Sequence, residues 1–239
     1  DEALLHYQRI QQGTFVNVKT LNVSKALLKK YNLEKALSHI DKEIKIKNQD
    51  NLLNSLSLKL SIFEEIGESA DIIRLSSQIL ESFPNNERAL YSRALAYEKE
   101  GNILSMSKDF DEMIKLNKYN SIALNAYGYS LALHKLHLDK SEKLIRKALD
   151  IRPGQAAILD SLAWVLYLKG SYKEAAKYSS LAYSKDQDPE IIEHHYLILL
   201  KNGNSNEAKS ILDQSIKNNP NSEKLLKLLD SSENAAIKL

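Results

Sequence analysis

Cysteine is absent from this 239-residue chain, which excludes disulfides, thiolate metal sites and cysteine nucleophiles. The absence does not choose between the cytosol and an oxidising compartment. Proline occurs four times and glycine seven times, well under the usual ~5% and ~7%. So few chain breakers suit a mostly helical protein. Long apolar runs are lacking too. The longest, from Ala156 to Leu168, is interrupted by Asp160 and Ser161, so no membrane span is expected. Nor is there an excess of one charge. Lys+Arg number 33 and Asp+Glu 31, a net charge of +2, which leaves no electrostatic footprint for nucleic acid.

Hydrophobic residues are 43% of the chain and charged residues 27%, the composition of a globular protein rather than a disordered one. Lysine outnumbers arginine 27 to 6, and asparagine occurs 19 times. This reads as the bias of an AT-rich genome and not as a binding surface. The chain opens on Asp1 instead of Met. That is expected of a processed or truncated piece, with any targeting signal upstream.

The scarce breakers are periodic. Gly67 and Gly101 are 34 residues apart, Gly101 and Gly170 are 69 apart, and Gly170 and Gly203 are 33 apart. Pro84, Pro153 and Pro220 follow the same beat, at spacings of 69 and 67. Gly67 precedes Pro84 by 17, and Gly203 precedes Pro220 by 17. A period near 34, halved by a turn, describes helix–turn–helix units stacked in series.

The side chains agree. A large apolar residue recurs in the first helix as Leu27, Phe63, Tyr97, Leu131, Leu166 and Leu199. Seven residues upstream stand Leu56, Leu90, Leu124, Leu159 and Ile192, on the same helical face. The second helix carries small residues at Ala36, Ser141, Ala175 and Ala208, and again at Ala148, Ala182 and Ser215. Small residues let paired helices approach closely. Ser171 with Glu174, and Asn204 with Glu207, have capping-box spacing. Asp188 before Pro189 is an N-cap followed by proline at the first helical position.

This pattern resembles the tetratricopeptide repeat, most specifically over Leu159–Pro189 and Ile192–Pro220, with Ala163, Gly170, Tyr172, Ala175 and Ala182 at the motif positions. The resemblance implies an all-α, right-handed superhelical solenoid. We expect a single solenoid domain over 1–239, with repeats at about 17–52, 53–86, 87–120, 121–155, 156–188 and 189–221. Residues 1–13 read as the second helix of a preceding repeat, with Ala3 in the small position, and 222–231 as a terminal helix. The missing partner helix would leave Leu4, Leu5 and Tyr7 exposed. Ile72 and Ile79, then Met106 and Met113, replace small residues, so wider helix packing is expected there. The fourth repeat has one extra residue in its turn, near His134–Asp139.

Little points to catalysis. His134, His137 and Asp139 are close in sequence, but a metal site needs further well-placed ligands. His194 and His195 project about 100° apart on a helix and do not share a metal easily. His195 falls at a packing position. Neither a nucleophile elbow, a phosphate-cradling loop nor a zincin motif is present. No enzyme activity, metal or cofactor is expected.

In this family ligands lie in the concave groove lined by the first helices. Aligning the repeats puts Tyr91, Asn125, Asp160 and Glu193 at one groove position, and Tyr129 and Trp164 at the next. Tyr167 lies one turn further. Tyr91, Asn125, Tyr129, Asp160, Trp164 and Tyr167 are therefore the candidate residues for binding a protein or peptide. Aromatic rings with polar tips are common binding anchors. The alternative is that Trp164 and Tyr129 simply pack against the adjacent repeat. The family's two-carboxylate clamp is missing, because Asn125 and Tyr129 are followed by Ser161 with no basic pair. A co-chaperone role is not expected.

The blocks Asn125–Tyr129, Leu159–Trp164 and Asp188–Leu199 are also similar to a narrower group, the bacterial outer-membrane lipoprotein adaptors of the periplasmic carboxy-terminal processing protease. Tyr127, Ala163 and Tyr196 depart from that group's pattern, the last standing where glycine is usual. This resemblance implies a lipid anchor upstream, a processing protease as partner and delivery of substrates such as peptidoglycan hydrolases. It also implies a location on the periplasmic side of the outer membrane. The alternatives are a scaffold for pilus or cell-wall assembly, or a cytosolic repeat protein.

Overall fold

A computed structural model describes the backbone of residues 2–236 and the side chains of residues 16–230. Ala3, Leu4, Leu5 and Tyr7 lie outside the described side chains. The described residues form thirteen α-helices and no strand. They are α1 (Glu2–Lys30), α2 (Leu33–Glu43), α3 (Gln49–Ile66), α4 (Ser69–Ser82), α5 (Glu87–Lys99), α6 (Ile103–Leu116), α7 (Ser121–Leu133), α8 (Leu138–Ile151), α9 (Ala156–Leu168), α10 (Tyr172–Lys185), α11 (Pro189–Lys201), α12 (Ser205–Asn218) and α13 (Glu223–Ala236). The chain divides into two compact units, Asp1–Leu116 and Asn117–Leu239. A helix boundary was expected between residues 13 and 17, whereas α1 runs unbroken through it. No proline stands there, and backbone hydrogen bonding continues past Gly13 and Thr14.

In the first unit, α1 packs on α2, α3 on α4 and α5 on α6. Ala36, Ile40, Leu58 and Ile62 form one buried cluster with Leu21 and Leu28 at its edge. Leu56, Leu60, Phe63, Leu75 and Ile79 form the next, with Ile72 packed against it. Met106 and Met113 are buried with Phe110. The larger residues that replace small ones are thus part of the interior. Arg93 of α5 grips Asp109 of α6 with two hydrogen bonds of 2.8 and 2.7 Å. That carboxylate raises the guanidinium's pKa above its ordinary value.

In the second unit the small residues do what their spacing implies. Ser141, Ala148, Ala175, Ala182 and Ala208 are completely buried where paired helices meet. The helices approach closely at Gly128 on α7. A Cβ there would lie 2.6 Å from Ile145 Cγ1 and 2.9 Å from the Ser141 carbonyl oxygen. Ser141 Oγ donates to the Gly128 carbonyl at 2.6 Å and holds α8 against α7. Tyr196 is not an obstacle to packing. It is buried among Ile192, Leu199, Ala208, Leu212 and Leu225, the last bringing in α13.

Turn chemistry explains the helix ends. Gly67, Gly101, Gly170 and Gly203, which carry the period, have φ values of 72–81°, the left-handed region that L side chains avoid. The extra residue after α7 is accommodated differently, by two non-glycine residues in that region, Lys135 and His137. The two anticipated capping boxes do not form as such. Ser171 and Asn204 make no side-chain cap bond, and Asn204 bonds the Glu207 side chain at 3.0 Å. Asparagine does the capping instead. Asn32, Asn48, Asn86, Asn102 and Asn120 each accept from a backbone amide three residues on, at 2.9–3.1 Å. Asp188 caps α11 ahead of Pro189.

Candidate functional site

Helices α7, α9 and α11 pack successively in the second unit. Their i, i+4 spacing puts Asn125 and Tyr129 on one face of α7, and Asp160 and Trp164 on one face of α9. Tyr167 follows one turn later. These five candidates fall on neighbouring helices. Tyr91 belongs to the first unit. There it sits edge-on to Phe110, with ring centroids 6.2 Å apart, beside a cavity of about 320 Å³ lined by Glu64, Ile72, Leu95 and Lys99. Burial, with the Glu98 charge adding to it, raises the Tyr91 pKa.

The centre of the second-unit site is a buried pair. His194 Nδ1 of α11 lies 2.8 Å from Asp160 Oδ2 of α9, with both side chains more than nine-tenths buried. Burial raises the Asp160 pKa, although the His194 hydrogen bond and charge oppose the shift. Trp164 stacks with two rings. Its centroid is 4.1 Å from that of His194, at 15° between planes, and 5.0 Å from that of Tyr167, at 13°. Tyr129 donates its hydroxyl to Glu190 Oε1 at 2.6 Å. Burial, and then that carboxylate, pushes the phenol's pKa well above its usual value. Lys224 of α13 places its ammonium 2.9 Å from Glu193 Oε2 and 3.9 Å from Glu190 Oε1.

Three polar atoms of this cluster are buried without a hydrogen-bond partner: Asn125 Oδ1, Asp160 Oδ1 and Trp164 Nε1. Most buried polar atoms are paired, so three such atoms on two adjacent helices stand out. Trp164 is therefore packed and polar at once. Two rings stack on it, and its one donor has no acceptor.

The sequence reading missed His194, Glu190 and Lys224. The first two had a signal. His194 follows Asp160 by 34 residues, one repeat, and Glu190 opens the same helix. Lys224 had none, because it comes from the terminal helix. His195 points the other way. It is buried, 2.9 Å from Ser179 Oγ through Nδ1, and stacked on Tyr183 at 5.1 Å. His134 and His137 lie exposed at the α7–α8 turn, and Asp139 pairs with Lys169 at 2.6 Å. Among the described residues no group of three potential metal ligands occurs.

No family model matches the chain. A TPR repeat-containing protein of Pseudomonas aeruginosa is 27% identical over 192 residues, which is 80% of this chain and 32% of that protein. The chain thus spans about a third of the length of this curated relative. Among solved structures, PilW, described as a widely conserved type IV pilus biogenesis factor, superposes with a TM-score of 0.70 at 16% identity. The match covers 90% of this chain and 98% of PilW. A tetratricopeptide repeat protein from Parabacteroides merdae gives 0.67 at 16% identity, covering 84% and 79%. Pseudomonas aeruginosa pilF gives 0.66 at 15% identity, covering 91% and 98%. The fold is therefore that of the all-α tetratricopeptide-repeat solenoids. None of these three structures or this relative is named as a protease or its adaptor.

Proposed function

We propose that this chain is a non-catalytic adaptor that binds a protein segment along the α7–α9–α11 face and delivers substrates to a cell-envelope processing protease. The supporting observation is the row of unsatisfied buried atoms Asn125 Oδ1, Asp160 Oδ1 and Trp164 Nε1 among aromatic rings. Two acceptors and a donor match what a polypeptide backbone supplies, N–H groups and a carbonyl. The blocks around Asn125, Trp164 and Asp188 resemble the envelope adaptors. That resemblance supports a partner protease, hydrolase substrates, an upstream lipid anchor and a place on the periplasmic side of the outer membrane. A second reading, a scaffold in pilus assembly, draws on the likeness to PilW and pilF.

A photo-crosslinking amino acid at Tyr167, with another at exposed Leu181 on α10 as control, tests the reading in envelope extract. Adducts from position 167 alone that contain a processing protease or its hydrolase substrates are the expected result. Adducts with pilus proteins instead favour the second reading. Adducts from 181 alone, or equally from both positions, overturn the proposed face.

A further inference from the structure

Charge on the second-unit face is lopsided. Three carboxylates, Asp160, Glu190 and Glu193, gather on α9 and α11. Asp160 is more than nine-tenths buried and its Oδ1 has no partner. The Asp160 carboxyl feels both the Glu190 and the Lys224 charges, and Lys224 in turn pairs with Glu193 at 2.9 Å. Lys224 reaches this cluster from α13, which the buried side chain of Leu225 anchors beside α11 and α12. The Lys224 side chain itself is 41% exposed. A long flexible stem with a compact ammonium is a cation that a competitor displaces at small cost.

We propose that this face recognises a basic residue, arginine or lysine, in an extended partner segment, and that Lys224 occupies the place of that cation until the partner arrives. The proposal rests on the adaptor reading above and names the chemistry of its ligand. The incoming cation pairs with Glu190 and Glu193, whose side chains are 47% and 30% exposed. Arginine, with five donors in a planar fork, serves several carboxylates at once, whereas lysine acts as a point charge. Asn125 Oδ1, Asp160 Oδ1 and Trp164 Nε1 are closed to solvent, so they bond the peptide unit and its cation only once the cluster opens locally. Tyr167 and His194 already stack on the Trp164 ring, so recognition is assigned to charge and hydrogen bonding and not to stacking. An acidic segment would meet three carboxylates and is selected against.

Trp164 is the only tryptophan and reports directly from the site. The experiment titrates the 239-residue chain with acetylated, amidated Ala/Ser heptapeptides whose central residue is Arg, Lys, Gln or Glu, and follows Trp164 fluorescence. Arg is expected to bind tightest, then Lys, with Gln and Glu at least about tenfold weaker. Lys224→Ala is expected to tighten the Arg peptide about two- to fivefold by removing the internal competitor. Glu190→Gln with Glu193→Gln is expected to abolish the preference for a basic residue, and circular dichroism confirms that the variant remains folded. Equal affinity for all four peptides, with a Trp164 response, overturns the basic-residue proposal and leaves the adaptor reading intact. An unchanged affinity in Lys224→Ala overturns the placeholder role. No Trp164 response to any peptide, while position 167 still crosslinks a partner, also overturns the proposal. Silence in both experiments counts against the adaptor reading itself.

Discussion

At the residue scale, two side chains and one missing side chain carry most of the specific chemistry. Gly128 matters because α7 and α8 meet where a Cβ has no room. Gly128→Ala is expected to destabilise the protein by about 1–3 kcal/mol, as overpacked core positions do, and urea unfolding measures it. Nothing in the period of the glycines singles out this one, since it lies outside the 34-residue series. Asp160 is the second case. The alignment of repeats singles it out, but its burial and its pairing with His194 are not legible there. His195 is the third. Burial lowers its pKa below the ordinary value, with Glu207 pulling weakly the other way. The folded ring is thus the neutral one, while in the unfolded chain the ring takes a proton near pH 6.5. The unfolded state then binds more protons, so stability falls as pH drops below about 6.5 and levels off once the folded ring also protonates. Unfolding in urea at pH 7, 6 and 5 is expected to show this loss, and His195→Gln is expected to flatten it.

At the scale of the helix, capping separates what composition says from what position says. Nineteen asparagines look like a genomic bias when counted. Placed on the fold, five of them end their wait for a partner at the first turn of α2, α3, α5, α6 and α7. Asn86→Ala and Asn120→Ala are each expected to cost about 1 kcal/mol, while Ser171→Ala, at a cap without a side-chain bond, costs no more than a few tenths. Thermal melts of the three variants test the ranking. The capping-box spacing at Ser171 and Asn204 was real in sequence. The side chain at each site nonetheless turned elsewhere, because a motif specifies which bonds are possible and the local rotamer decides which is made.

At the scale of the whole molecule, a solenoid's stability is the sum of repeat terms and nearest-neighbour interfaces. Damage in one repeat therefore spreads poorly. Hydrogen exchange on Gly128→Ala is expected to show protection lost in α7 and α8 well before α3 and α4. Uniform loss throughout would mean a single cooperative unit instead. The division into two compact units after Leu116 had no compositional marker, since no proline-rich or glycine-rich linker stands there. The unbroken α1 was hidden for a related reason. A continuous helix across two nominal repeats has the same apolar period as two separate ones.

The repeat period, the turn glycines, the small residues between paired helices and the all-α class were determined by the sequence alone. Each depends on local geometry: 3.6 residues per turn, a positive φ that only glycine adopts freely, and the width of a side chain between two helices. The tertiary structure alone decided that Asp160 meets His194, that Trp164 stacks with two rings, and that Lys224 of the last helix reaches the carboxylates of α11. These contacts join residues 3 to 34 positions apart, and whether they form depends on rotamers and burial that periodicity does not specify.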